Sequence, residues 1–141
     1  MPTQAEINVK DSLAEKAACE HFLGKSISEA ETLLQGDSFL YQEDLLWMGP
    51  KAFCYYVQAA VRYVMGPASQ DDAEFTTCLA TILQTRLHQR SPEFGAIATT
   101  LVELCDYVLN NPDKFNFATG AWQPLQTHYT ALRQGWEQYP Y

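Results

Sequence analysis

The side chains in this 141-residue sequence best suited to nucleophilic chemistry are its four thiols, Cys19, Cys54, Cys78 and Cys105. Cys54 is the most interesting, because Pro50 marks a helix start just before it and a helix N-terminus lowers a thiol pKa. A catalytic thiol also needs a base, and His88 and His128 are the histidines that folding could bring to it. No local signature joins either to Cys54, so a packed, inert thiol is the simpler expectation. Cys19-Glu20-His21 offers two zinc-binding side chains but no second pair nearby. Glu43-Asp44 is a pair of acids, yet consecutive residues diverge on a helix and do not share a proton. The patterns H-E-x-x-H, C-x-x-C, G-x-G-x-x-G and G-x-x-x-x-G-K-[ST] are absent from the sequence, as is an EF-hand loop. No catalytic residue, cofactor or metal is therefore assigned.

Large aromatics with polar tips are the remaining chemical resource. Tyr55, Tyr56 and Tyr63 share one helix pattern, and together with His128 they could line a pocket between helices. Trp136, Tyr139 and Tyr141 either close the core or form a dimer patch, which leaves a homo-oligomer open.

These residues must be positioned by helices, because apolar spacing near 3.6 recurs throughout and no strand alternation is visible. The segment Trp47–Gly66 is nearly all apolar, and Lys51, Tyr55, Gln58 and Arg62 form its only polar stripe. It predicts a central buried helix over about 50–66. A first helix is expected over Asp11–Phe22, with Asp11 as N-cap and Leu13, Ala14, Ala17, Ala18 and Phe22 on its inner side. Ser26-Ile27-Ser28-Glu29 is a capping box for a short helix that stops near Gly36. Residues 37–49 are expected to be less regular, with Leu45, Leu46 and Trp47 tucked inward. Asp71, Asp72 and Glu74 open the next helix, and Arg86, His88 and Arg90 close it, each cluster matching the helix dipole. Ser91-Pro92-Glu93 starts another that ends at Asn110-Asn111-Pro112, and a last helix covers about Pro124–Gln138. The fold class is all-α: one domain over 1–141, about six helices around the central one, with residues 1–9 frayed.

The composition is globular, with 47% hydrophobic and 18% charged residues. Apolar runs are interrupted well short of the ~18 residues of a membrane span. No basic and apolar leader pattern is visible at the N-terminus, so a cytoplasmic setting with reduced cysteines is expected. The net charge is −8, of which residues 1–50 carry −6. That balance disfavours nucleic acid and anionic membranes by repulsion.

The run Pro50, Phe53, Tyr55, Tyr56, Ala59 resembles the core of an uncharacterised bacterial family of small helical proteins, over about residues 40–110. The resemblance implies an all-helical bacterial domain and transfers no activity or site residue.

Two functions follow as expectations. One is a non-enzymatic interaction protein, immunity-like or regulatory, whose acids Glu29, Glu31, Asp37, Glu43 and Asp44 meet a basic protein partner. The alternative is a small-molecule binder or enzyme using the tyrosine-lined pocket.

Overall fold

The computed structural model describes residues 1–139, so Tyr141 lies outside the described residues. Seven α-helices follow in order: α1 (Gln4–Ile7), α2 (Leu13–Phe22), α3 (Ile27–Trp47), α4 (Pro50–Met65), α5 (Ala73–Gln89), α6 (Ala98–Asn110) and α7 (Trp122–Glu137). Short 3-10 turns lie between α4 and α5, α5 and α6, and α6 and α7, and no strand occurs among the described residues. The all-helical architecture is the one the 3.6 periodicity predicts.

Helix α4 is the hub, packing against α1, α3 and α6. Its buried residues include Ala52, Phe53, Tyr56, Val57, Ala59, Ala60 and Val64, and the small ones let neighbouring backbones approach. Lys51 and Arg62 are exposed, while Tyr55 and Gln58 are half-buried, so the polar stripe falls on the outer side as its spacing requires. Helices α6 and α7 form the most extensive helix pair, and α5 bridges α3 to α7. The Trp136 side chain is fully buried and stacks on Tyr139, which places this pair in the core.

Several boundaries differ from the sequence expectation, each for a local reason. Residues 1–9 hold α1, fixed by a Thr3–Glu6 capping box and by Ile7, which is fully buried. Asp11 has φ 53°, in the left-handed region, and Ser12 takes the N-cap of α2 with Glu15 completing its box. Leu13 is consequently exposed rather than inward. Helix α3 does break after Gly36, but only as a kink. Asp37 is extended (φ −162°, ψ 84°), and its carboxylate accepts the Leu40 amide, restarting the helix at once. Leu45 is buried as expected, whereas Trp47 turns out to solvent. The Ser91 hydroxyl bonds the Glu93 carboxylate instead of capping, and Pro92–Ala96 is a 3-10 turn ahead of α6.

Candidate ligand-binding groove

The groove begins with a residue that belongs to a core stripe by position and to a surface by chemistry. Arg86 continues the buried series Phe75, Leu79, Ile82, Leu83 on α5 and is only 2% exposed. Its guanidinium reaches the end of α3, where Nη2 donates to the carbonyls of Leu45 (2.8 Å) and Met48 (2.6 Å). Nη1 donates to Gln89 Oε1 at 3.3 Å, and the cation lies 4.6 Å from the centre of the Phe53 ring. The Nε–H has no partner, and among the described residues no carboxylate forms a salt bridge with this cation. Burial pulls the Arg86 pKa down to about 10, so it is still charged at neutral pH.

Arg86 forms part of the wall of a groove of about 630 Å³ between the α1–α2 segment, the α3–α4 junction and the end of α5. Trp47, 53% exposed, and Val9 are apolar groups on its rim, with Leu46, Met48 and Pro50 adding apolar lining. Gly49, the N-cap of α4, also lines the groove, and its amide donates to the Ile7 carbonyl. Glu15 also lines the groove, close enough for its charge to favour the Arg86 cation, and its carboxylate accepts bonds from the amides of Lys10 and Ser12 and from Ser12 Oγ. Burial pushes the Glu15 pKa up, but these bonds outweigh it and the net shift is downward. Glu15 is thus a satisfied anion, whereas Arg86 is an incompletely satisfied cation.

The residues singled out in the sequence are not assembled into a site. Tyr56 is fully buried and its hydroxyl donates to the carbonyls of Phe22 (2.6 Å) and Lys25 (2.9 Å). Tyr63 donates to Asp72 at 2.5 Å, and Tyr55 packs edge-on against Tyr56. His128 sits on α7 with its Nε2 buried and unpartnered, and burial lowers its pKa. None of the cavities described is lined by Tyr55, Tyr56, Tyr63 or His128.

Of the five acids, Glu29, Asp37 and Glu43 are exposed and Glu31 is half-buried. Glu29 closes the α3 capping box. Asp44 departs from the expected surface set: it is 6% exposed and pairs with His21 Nδ1 at 2.5 Å, tying α3 to α2. Burial raises its pKa above the ordinary 3.8 despite His21. The folded state therefore holds this proton more tightly than the unfolded chain does. Its contribution to stability is greatest below pH 3.8 and falls as pH rises through the elevated folded value. Asp44→Asn is expected to remove that decline, seen as a difference in pH slope between the urea midpoints of variant and parent. Parallel slopes would show that Asp44 titrates normally.

All four cysteines are free. Cys54 Sγ donates to the Glu93 carbonyl, and burial raises its pKa to about 11, opposite to activation by the helix dipole. His88 is exposed on α5. Cys19 donates to the Gln4 carbonyl, and no group of three metal-binding side chains occurs among the described residues. Among the described residues no helix is long and apolar enough to cross a membrane.

Sequence reasoning missed Arg86, Trp47 and Glu15. Arg86 was legible in principle, because it falls in the apolar stripe three residues after Leu83. Ser12-x-x-Glu15 likewise has the capping-box spacing. No family model, no curated protein and no solved structure matches the chain.

Proposed function

We propose that the protein is a non-enzymatic binding protein whose ligand seats in the groove beneath Trp47. The observation that carries this reading is Arg86, a buried cation without a carboxylate partner, set in the wall of a groove with an exposed aromatic rim. A volume of about 630 Å³ is in the range of small-molecule sites. Thiols raised by burial at Cys19, Cys54, Cys78 and Cys105 support binding over nucleophilic catalysis. The same free thiols support a reducing, cytoplasmic setting.

A thermal-shift screen of metabolites against the parent protein and Trp47→Asp tests it. Trp47 is half-exposed, so this change alters the rim and spares the core. Compounds that raise Tm of the parent by several degrees and not of the variant are expected. Equal shifts in both proteins, or none in either, contradict groove binding.

A second reading is an immunity-like or regulatory role with a basic protein partner. It is favoured by Glu29, Glu31, Asp37 and Glu43, which form no salt bridge among the described residues. Capture of a basic protein at low salt that is released at high salt is its expected signature. Retention independent of salt contradicts it.

A further inference from the structure

We infer that the groove is selective for a small monoanion with an apolar body: a medium-chain carboxylate whose head group pairs with Arg86 and whose hydrocarbon lies along Leu46, Trp47 and Pro50. This rests on the binding function proposed above and adds the chemical class of the ligand.

The charge of the site argues for one negative charge. The lining holds two cations, Lys10 and Arg86, and one anion, Glu15, so its net charge is a single positive one. A dianion gains less, because Glu15 faces the same groove and the whole protein carries −8.

The geometry of Arg86 says how the head group enters. The Leu45 and Met48 carbonyls hold Nη2, so the guanidinium cannot swing out to meet a ligand. Nη1 is held only by Gln89 Oε1, at 3.3 Å, and Gln89 is an exposed residue at the end of α5. A carboxylate oxygen that displaces the Gln89 amide gains a charge-assisted bond in place of a longer neutral one. Gln89 is thus the movable cover of the cation, and the ligand must come to Arg86. The lining offers an alkyl chain the apolar side chains of Leu46, Trp47, Met48 and Pro50.

Calorimetric titration with octanoate, 1-octanol and octyl phosphate tests the head-group preference, using the full chain and, in parallel, Gln89→Glu. Octanoate is expected to bind about tenfold or more tightly than octanol, and more tightly than the phosphate. In Gln89→Glu the new carboxylate takes the place on Nη1 as an internal competitor, and octanoate affinity is expected to fall about tenfold while Tm is no lower than the parent's. Octanol binding as well as octanoate overturns the inference while groove binding stands. Octyl phosphate binding best overturns the monoanion preference, and undiminished octanoate affinity in Gln89→Glu overturns the role of Arg86. If none of the three binds, the inference fails, and hits in the thermal-shift screen decide separately whether the groove binds anything.

Discussion

Arg86→Met is expected to lower stability by about 2–4 kcal/mol, because two buried carbonyls lose their donor at about 1–3 kcal/mol each. The methionine offsets part of that loss, since it fills the stem volume and removes the cost of keeping a cation out of water. The carbonyls decide the balance: Leu45 and Met48 sit at the end of α3, where no further turn of helix can supply a replacement amide. For a chain of this length a loss of about 3 kcal/mol corresponds to a fall of roughly 10 °C in Tm. Arg86→Lys should recover part of it, because an ammonium can reach one carbonyl but not fork between two. A Tm within about 2 °C of the parent for Arg86→Met would show that the α3–α4 junction is held by something else.

The second large effect is expected at Gly49. Its φ of −59° suits any residue, so the constraint is space rather than backbone strain. A methyl there would overlap the Glu6 carbonyl and lie 2.5 Å from Val9 Cγ2. The Gly49 amide also donates to the Ile7 carbonyl at 3.0 Å, so α1 and the start of α4 are locked together. Gly49→Ala can relax either by distorting α4, which is packed on three sides, or by releasing α1. Releasing α1 exposes Ile7, a loss of about 1.5–3 kcal/mol, and that route sets the ceiling on the destabilisation. Urea unfolding should show a loss of about 2 kcal/mol. Hydrogen exchange should show protection lost at Gly49 and in α1 while the core of α4 keeps its own. Uniform loss across α4 would mean that α1 is not the yielding element.

What was legible in the sequence follows the physics of each element. Helix α4 was readable because sixteen residues carry more than four turns of pattern, enough for Lys51, Tyr55, Gln58 and Arg62 to declare an outer stripe. Helix α1 has four residues, too few for periodicity, and only the Thr3-x-x-Glu6 spacing announces it. The kink at Asp37 looked like an ending because Gly36 precedes it, yet one side-chain cap restarts the helix within a residue. The groove was harder still. Leu46, Trp47, Glu15 and Arg86 come from three stretches of chain, and only packing brings them to one place. Charge at a helix end made Arg86 look like a partner of the dipole of its own helix. It instead serves the end of α3, which no periodicity of α5 reveals.

The most direct measurement of binding in the groove is a 1H–15N titration with octanoate that follows the indole N–H signals of Trp47, Trp122 and Trp136. Trp47 lines the groove, Trp122 borders a separate cleft with Phe117, and Trp136 is buried against Phe94 and Tyr139. The expected result is a saturable shift of the Trp47 signal alone, accompanied by the amides of Thr85 and Gln89. Shifts centred on Trp122, or a Trp47 signal unmoved at millimolar ligand, would contradict it.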